Sequence, residues 1–313
     1  MSKVSIVVPC YFNELNIPET YRVLVKDVFE KCQDINFELI FVDDGSKDNT
    51  LGELKKVQES DSRIKIVKLS RNFGEFRAIV AGMSLASGDA VAVMSADLQD
   101  PPYLIAEMID YWQQGEKVVI AARSKRDEPW IKNFLANTYY CIVRKLVIED
   151  YPKQGFDFFL MDKSVAEILV NMQEKNSSIY VQLIWTGFKP KVIEYTRQAR
   201  EKGKSMWSYK KRIDLFIDTF IVFSHTPIRW ISGLGFLMSV SGFVSALFFV
   251  YDKLVHGSDV AGWTSLMVVV LVLAGIQMIM LGVIGEYMWR NLDESRKRPL
   301  YIIEEVFESS HHE

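Results

Sequence analysis

Three acidic residues follow short apolar runs in the first third of the chain, and a bound ligand could compensate their negative charge. Asp43 and Asp44 come directly after one run, and Asp97 closely follows another. Carboxylates that share a site repel each other unless a cation or hydrogen-bond donors compensate. Gln99 adds an amide oxygen to Asp97, and such hard ligands suit Mg²⁺ or Mn²⁺. With Arg71 nearby, the pattern predicts activation of a nucleotide sugar, whose diphosphate leaving group the cation neutralises.

The apolar runs alternate with helical stretches, which predicts an α/β fold. Nearly continuous β-branched strands separated by helices indicate a mostly parallel sheet covered on both faces. Ligands bind beyond the carboxyl ends of such strands, so the polar residues after each strand are expected to meet. The predicted strands are 4–8, 37–42, 64–69, 90–94 and 117–122, and the predicted helices are Ile17–Cys32, Leu51–Glu59, Phe76–Ala86 and Tyr103–Gln113.

Asp100 stands directly before two prolines, a pattern typical of a helix N-terminus. Aspartate is favoured at the N-cap and proline in the first turn. Asp100 is therefore predicted to cap the helix that begins near Tyr103, a structural role that distinguishes it from Asp97.

The composition is that of a globular protein. The chain has 313 residues, 49% of them hydrophobic and 25% charged, which excludes a disordered or fibrous chain. Its net charge of −3 gives no electrostatic case for nucleic-acid binding. The cysteines Cys10, Cys32 and Cys141 lie far apart without metal-ligand spacing, which excludes a disulfide framework and a zinc knuckle.

Two apolar runs near the C-terminus predict a pair of membrane-spanning helices. Ile231–Val250 has no charged residue, and a second run extends from Trp263 to Gly285. Each can cross a hydrocarbon core of ~30 Å. Basic residues flank the pair while the connecting loop holds only Lys253, so the positive-inside rule places both termini in the cytoplasm. A buried hairpin of a soluble protein is the alternative, although such helices rarely stay uncharged for so long.

These patterns predict four parts of the chain. They are a catalytic domain at 1–209, a juxtamembrane amphipathic segment at 210–229, two transmembrane helices at 230–289 and a cytoplasmic tail at 290–313. In the first span, Gly235 with Ser239 and Gly242 with Ala246 give a spacing that suits close helix packing, within the hairpin or between protomers. A homo-oligomer, dimer or tetramer, is compatible with this spacing.

Motifs along nearly the whole chain resemble those of the family 2 glycosyltransferases of the polyprenyl-phosphate branch. This branch includes the dolichol-phosphate mannose synthases and, more closely, the bactoprenol (undecaprenyl-phosphate) glucosyltransferases. The motifs occur in the same order, which makes the resemblance specific. They are VVPCYFNE, FVDDGSKDNT, LSRNFGEFRAIVAG, ADLQDPP, GFDFFLMD, REKGKSMW and a membrane tail of two helices.

On the donor side, the resemblance implies the nucleotide-diphospho-sugar transferase (GT-A) fold and a set of nucleotide-sugar-binding residues. These are Pro9, Tyr11, Glu14, Asp43, Asp44, Arg71 and Asp97. The metal, Mg²⁺ or Mn²⁺, is assigned to Asp97 and Gln99.

On the acceptor side, Asp157 matches an aspartate that lies near the sugar and the attacking phosphate, where it orients the acceptor or acts as a base. Arg123 and Arg126 match residues that receive the lipid phosphate, which guanidinium groups bind in bidentate fashion. Their alternative role is contact with anionic lipid headgroups. One basic loop contains Arg197, Arg200 and Lys204. The resemblance implies that this loop closes over the diphosphate, and its alternative role is contact with lipid headgroups.

Three positions depart from the family pattern. Ser95 replaces the first carboxylate of the usual Asp-x-Asp, and Phe159 replaces the arginine of the Gly-Asp-Phe-Arg-Leu stretch. Residues 204–207 stand where Ser/Thr-Lys-Tyr is frequent. These departures bear on metal affinity and donor identity more than on the reaction class.

The activity implied by the resemblance is inverting transfer of one sugar, glucose or a related hexose, from a UDP-sugar to undecaprenyl or another polyprenyl phosphate. The reaction is expected at the cytoplasmic face of a bacterial inner membrane, and its product would donate the sugar to cell-surface glycans. A GDP-sugar is less favoured because the bactoprenol branch is the closer match. Two alternatives stay open: a processive polysaccharide synthase, although its Gln-x-x-Arg-Trp motif is not found, and a non-catalytic scaffold that binds nucleotide sugar.

Overall fold

The computed structural model describes residues 1–123, 144, 148, 151–152, 155–172, 174, 177–196, 226–256 and 262–308. The chain divides into two compact units. Met1–Thr219 together with Pro299–Glu313 form the first, and Phe220–Arg298 form the second.

A mixed, mostly parallel sheet forms the centre of the first unit. Its described strands are β1 (Lys3–Cys10), β2 (Asn36–Asp43), β3 (Ile64–Leu69), β4 (Ala90–Val93), β5 (Val118–Arg123), β6 (Phe156–Asp162), β7 (Lys191–Tyr195) and β8 (Ile303–Glu308). Their order across the sheet is β7-β5-β6-β4-β1-β2-β3-β8. Strands β6 and β8 run antiparallel to their neighbours, and the other pairs are parallel.

Helices cover both faces of this sheet. They are α1 (Ile17–Leu24), α2 (Thr50–Ser60), α3 (Glu75–Ser84), α4 (Leu104–Gln113), α5 (Lys163–Asn171) and α6 (Ile179–Trp185). Because side chains alternate along a strand, Ile6 and Val8 of β1 pack into the core cluster with α1 and α4, whereas Val7 meets α3 on the other face. A Cβ on Gly82 of α3 would lie 2.4 Å from Val7 Cγ1, so only glycine allows this close approach.

The structure confirms the predicted strands β1–β5 and, with shifted ends, the predicted helices between them. The helix predicted over Ile17–Cys32 is the exception, because α1 ends at Leu24 and a π-helical turn at Val25–Phe29 follows. The predicted α/β fold with a mostly parallel sheet is also confirmed. Strands β6, β7 and β8 and helices α5 and α6 were not predicted from the sequence.

The edge strand β8 comes from the stretch that the sequence assigned to a C-terminal tail. It pairs antiparallel with β3. Lys68 and Glu304 form a 2.9 Å salt bridge across this pair, and Lys55 of α2 lies 4.1 Å from the centre of the Phe307 ring. β8 therefore covers a sheet edge that would otherwise present unpaired backbone groups.

The second unit contains two long helices, α7 (Thr226–His256) and α8 (Trp263–Ser295). Among the described residues, one helical segment, Val272–Ser295, is long and apolar enough to cross a membrane, with a mean hydropathy of 1.5. The apolar stretch of α7 in those residues, Gly235–Ser245, is shorter. Large apolar side chains of α8, such as Met278 and Ile279, are exposed, which is the surface a lipid-facing helix presents.

Candidate functional site

Hydrogen bonds join the loops after β1 and β2 at the carboxyl edge of the sheet. The backbone N–H of Phe12 donates to Ser46 Oγ (3.2 Å), and that of Asn13 donates to Thr50 Oγ1 (2.9 Å). Asn13 Oδ1 in turn accepts from the N–H of Tyr11 at 2.7 Å. The structure thus brings together the two polar segments that the sequence predicted to meet.

Asp44 ties the loop after β2 to the loop after β3. Its two carboxylate oxygens accept from the backbone N–H groups of Phe73 (2.7 Å) and Gly74 (2.9 Å). The pKa of the Asp44 carboxyl is raised above its usual value, because the effect of burial exceeds the opposite effect of the two backbone donors. These contacts give Asp44 a bracing role that the sequence analysis did not predict, since it treated Asp44 only as a ligand.

Gly45 allows these two loops to approach each other. Its φ is +67°, and a Cβ there would lie 2.5 Å from the carbonyl carbon of Arg71. Both the left-handed backbone and the close approach require glycine. The turn is completed by Asp43, which is buried and accepts from the N–H of Ser46 at 3.0 Å.

The remaining donor-side candidates surround this turn. Pro9 lies in β1 opposite Val42, and the Tyr11 ring meets the Phe12 ring edge to face at 4.6 Å. Glu14 Oε2 accepts from the N–H of Asn49 at 2.8 Å, next to the start of α2. Glu14 therefore stabilises a helix N-terminus in this structure, in addition to the nucleotide role predicted for it.

Arg71 is exposed at the end of β3. Its guanidinium carbon lies 4.4 Å from the centre of the Phe73 ring, a distance within the range of a cation–π contact. This contact leaves the charged group at the surface of the edge, where an anionic ligand can reach it.

Asp97 lies in the loop after β4 and is half-buried. Its Oδ1 accepts from Ser95 Oγ at 2.7 Å and from the N–H of Gln99 at 3.3 Å. Leu98 between them has a φ of +55°, an uncommon conformation for a branched side chain. Ser95, which replaces the usual first carboxylate, thus serves as a hydrogen-bond donor to the second.

The predicted capping role of Asp100 is wrong. The residue that precedes α4 is Tyr103, which makes no side-chain cap bond, and Asp100 is only 1% exposed. Its carboxylate accepts from the Tyr195 hydroxyl and lies 3.5 Å from Ser95 Oγ. Backbone hydrogen bonds from the N–H of Leu104 to Pro101 O and from the N–H of Ile105 to Pro102 O begin the turn at the prolines, while the Asp100 carboxylate binds the Tyr195 hydroxyl from another strand.

Tyr195 ends β7 beside the end of β5. Burial, and after it the charge of Asp100, raise the pKa of the Tyr195 hydroxyl far above its usual value, so the group remains a donor at neutral pH. Arg123 is the register partner of Tyr195 across the two strands, and its positive charge partly offsets this rise in the pKa of Tyr195. Sequence reasoning missed Tyr195, because nothing near it in the chain marks a site.

Arg123 and Asp157 form an ion pair at the same edge. Arg123 ends β5, and Asp157 is the second residue of the antiparallel β6, so the two strands bring them together. The Arg123 side chain is 13% exposed and that of Asp157 is 39% exposed. The pair is therefore accessible from one side, through its carboxylate.

The oxygen donors of the Asp97 loop suit a hard divalent cation. No cluster of three His, Cys, Asp or Glu side chains that could bind a metal occurs among the residues the structure describes. Mg²⁺ is commonly held by one or two carboxylates, with phosphate oxygens and water completing the shell. Asp97 with Gln99 fits this arrangement and does not fit an all-protein metal cage.

Several predicted residues lie outside the described ranges. These are Arg126, Arg197, Arg200 and Lys204, as well as most of the predicted juxtamembrane segment.

Comparison with known proteins shows the family. The model of the family described as Glycosyl transferase family 2 matches residues 5–160. The uncharacterized glycosyltransferase YkcC of Bacillus subtilis (strain 168) is 43% identical over 304 residues, which cover 97% of this chain and 94% of that protein. The chain belongs to glycosyl transferase family 2.

Two further relatives within the family carry a more specific description. The prophage bactoprenol glucosyl transferase homolog of Escherichia coli (strain K12) is 34% identical across 97% of this chain and 99% of that protein. The bactoprenol glucosyl transferase of Shigella phage SfV is 35% identical across 96% of this chain and 98% of that protein. These similarities extend over both units of the chain.

A solved structure of glucosyl-3-phosphoglycerate synthase from Mycobacterium tuberculosis, with Mn²⁺, UDP-glucose and phosphoglyceric acid, is a more distant match. It is 16% identical, with a TM-score of 0.49, across 70% of this chain and 80% of that chain. At that similarity it carries no conclusion about ligands of this chain.

Family membership confirms three predictions from the sequence. The protein is a glycosyltransferase, its fold is of the GT-A class, and it resembles the bactoprenol branch. The family segment includes Asp97, Arg123 and Asp157, whereas Tyr195 lies beyond it.

Proposed function

We propose that this glycosyltransferase moves one hexose, glucose or a close relative, from a UDP-sugar to undecaprenyl or another polyprenyl phosphate. The observation that carries the proposal is the full-length similarity to proteins named bactoprenol glucosyl transferase. That similarity includes the C-terminal helices as well as the sheet. A match limited to the sheet would suit any acceptor, whereas the apolar helices favour a lipid.

The position of β8 supports a membrane hairpin with both ends in the cytoplasm. β8 follows α8 in the chain and pairs with β3 of the catalytic sheet, and on this proposal both ends of the second unit would lie in one compartment. A chain that leaves and re-enters one compartment crosses the membrane an even number of times. Since α8 offers one crossing segment, α7 would supply the other, as the charge pattern predicts.

On the acceptor side, Arg123 is proposed to receive the lipid phosphate. A phosphate monoester has a second pKa near 6 and is largely a dianion at neutral pH, so it needs cationic neighbours more than a strong base. Arg123 already binds a carboxylate, Asp157, and its Nε is buried without a hydrogen-bond partner. We propose that the phosphate replaces Asp157 on part of the guanidinium and that Asp157 then orients the acceptor or the sugar.

On the donor side, the turn built by Asp43 and its neighbours is proposed to hold the nucleotide, together with Pro9, Tyr11, Glu14 and Asp44. Arg71 would contact the anionic part of the donor from the exposed end of β3. Attack of the phosphate in line with the leaving UDP would invert the configuration at the anomeric carbon.

Asp97 and Gln99 are proposed to hold Mg²⁺ or Mn²⁺. When bound, such an ion neutralises the charge that develops on the departing diphosphate. Ser95 keeps the Asp97 carboxylate in position through their hydrogen bond.

Four basic residues outside the described ranges complete the proposal. Arg126 would bind the acceptor phosphate, and a loop closing over the diphosphate would contribute Arg197, Arg200 and Lys204. A dimer or tetramer through the small residues of α7 also stays a proposal. No described feature favours a processive synthase or a non-catalytic scaffold.

The decisive experiment is a transfer assay with purified full-length protein, Mg²⁺ or Mn²⁺, radiolabelled UDP-glucose and a short polyprenyl phosphate. Label should enter the chloroform-soluble fraction, should stop when EDTA is added, and should not enter free glucose or water-soluble phosphates. Other UDP-hexoses and a GDP-hexose tested in parallel identify the donor. Label found only in polymer, or transfer to water-soluble acceptors alone, would contradict the proposal.

A further inference from the structure

Six side chains form a continuous chain of contacts across the carboxyl edge of the sheet. We call them the polar chain; in order they are Asp157, Arg123, Tyr195, Asp100, Ser95 and Asp97. Arg123 pairs with Asp157 and stands beside its register partner Tyr195, whose hydroxyl donates to Asp100. Asp100 lies 3.5 Å from Ser95 Oγ, and Ser95 donates to Asp97 at 2.7 Å.

The polar chain spans two regions with different proposed tasks. At one end, Asp157 and Arg123 form the proposed acceptor site, and at the other, Asp97 belongs to the proposed metal site. Tyr195 and Asp100 lie between them and are buried, with exposures of 4% and 1%. A buried carboxylate that lacks hydrogen bonds is strongly unfavourable. The hydrogen bond from Tyr195 to Asp100 therefore restrains both side chains.

The backbone adds to this rigidity. Arg123 and Tyr195 are direct register partners in the parallel pair β5–β7, which places their side chains on the same face of the sheet. The ladder thus sets the Tyr195 hydroxyl beside the guanidinium, and Asp100 sets its direction. Phenylalanine would fill the same volume at position 195, so what tyrosine adds is the hydroxyl.

We propose that Tyr195 and Asp100 are positioning residues that hold Arg123 and the Asp97 loop in one fixed arrangement for transfer. Neither is expected to contact a substrate. Their effect passes through Arg123 on one side and through Ser95 on the other. This inference rests on the proposed function for the naming of the two sites, but the coupling itself concerns only the protein's own residues.

The test compares Tyr195→Phe with Tyr21→Phe. Tyr21 donates to Asp61 at 2.9 Å in a region built by α1 and the turn before β3, so both changes remove one tyrosine–carboxylate hydrogen bond. For Tyr195→Phe we expect a kcat about tenfold lower, with the KM for the UDP-sugar nearly unchanged. Tyr21→Phe should retain the wild-type kcat.

A conservative change at the centre of the polar chain gives a second readout. Asp100→Asn keeps an oxygen that can accept from Tyr195, so it should retain much more activity than Asp100→Ala. A purely structural role for the pair would instead lower the yield or the melting temperature in all variants and leave the kcat of the folded fraction unchanged. That result, or equal kcat values for Tyr195→Phe and Tyr21→Phe, would overturn the inference.

Hydrogen–deuterium exchange tests the coupling without any catalytic assay. Tyr195→Phe should speed amide exchange in segments 95–100 and 155–158 by about tenfold, and Tyr21→Phe should not. If Tyr195→Phe cannot be recovered folded, Ser95→Ala opens the polar chain at its other end, and faster exchange in 95–100 is again expected. If wild type shows no lipid-dependent transfer, the proposed function fails, while unchanged exchange in these variants defeats the coupling.

Discussion

The two halves of the sheet edge are held together by different kinds of hydrogen bonds. On the β1–β3 side, carboxylates bind backbone N–H groups, as Asp44 does with Phe73 and Gly74. On the β4–β7 side, the long-range hydrogen bonds join one side chain to another, as Tyr195 does with Asp100, 95 positions away in the chain.

Because of this difference, we expect substitutions on the two sides of the edge to affect different properties, stability on one side and turnover on the other. A carboxylate that satisfies buried backbone donors fixes the path of a loop, so its loss exposes donors and destabilises the fold. A side chain that aims another side chain can be lost while the backbone keeps its path. Changes on the β1–β3 side should therefore lower stability first, and changes on the β4–β7 side should lower turnover first.

The largest expected effect is that of Asp97→Asn on turnover. We expect kcat/KM to fall at least ~100-fold, because one formal charge opposite the developing diphosphate charge is lost. Asp89→Asn is the matched control, since Asp89 is exposed, immediately precedes β4 and binds the N–H of Lys3 at the other end of the same strand. Steady-state kinetics with the polyprenyl acceptor measure both. Equal losses in the two variants would contradict the assignment of Asp97.

Asp44→Ala should give the largest loss of stability. Removing the carboxylate leaves the N–H groups of Phe73 and Gly74 without their acceptor, which should lower the free energy of unfolding by about 2–4 kcal/mol. Chemical denaturation followed by circular dichroism measures the change. Asp27→Ala, which removes only a surface pair with Lys31, should lower it by less than ~1 kcal/mol. A similar loss in both variants would remove the bracing role of Asp44.

Ser95→Asp should make the fold depend on metal. The new carboxylate would lie beside Asp97 and near buried Asp100, so without metal the free energy of unfolding should fall by about 1–2 kcal/mol. Mn²⁺ should raise the melting temperature of this variant more than that of wild type. The neutral variant Ser95→Asn controls for side-chain size. If the melting temperature of Ser95→Asp did not rise on addition of Mn²⁺, that result would count against the metal site at Asp97.

The smallest effect is expected at Asp162, which ends β6 away from the site. Burial alone would raise its pKa, but hydrogen bonds from Ser164, Trp112 and Lys117 lower the pKa of Asp162 from 3.8 to about 2. A lowered pKa stabilises the fold above pH 3.8, and this contribution disappears as the pH falls from 4 towards 2.

Asp162→Asn should therefore lower the free energy of unfolding by roughly 1 kcal/mol at neutral pH, with normal kcat. The difference from wild type should shrink as the pH falls from 4 towards 2, measured by denaturation in one buffer series. A difference that grows with acidification would contradict this sign.

The elements that the sequence predicted best are those whose burial is uniform. Strands β1, β2 and β4 are apolar runs buried on both faces, and their residues identify them without any partner. β8 reads IEEVFE and has half of its residues charged. It becomes a strand because its backbone pairs with the edge of β3, where Lys68 also meets Glu304, and no local pattern predicts this pairing.

Asp100 shows the same limit within the site. Its neighbours, two prolines, favour a helix cap, and that local preference was overridden by a buried partner from β7. The role of Asp97 as a loop carboxylate after β4 could be predicted because β4, Ser95 and Gln99 are its neighbours in the chain.

By itself, the sequence determined the resemblance to a glycosyltransferase family, the positions of strands β1–β5 along the chain and the residues of each loop motif. These features depend on contiguous residues. The tertiary structure decided that Arg123 lies beside Asp157 and Tyr195 and that Asp100 is buried against Tyr195. It also decided that the C-terminal strand β8 adds to the sheet edge at β3. The physical reason is that β6 inserts between β4 and β5 while β7 adds beyond β5. Which strands become neighbours is a property of the packed sheet and not of any segment alone.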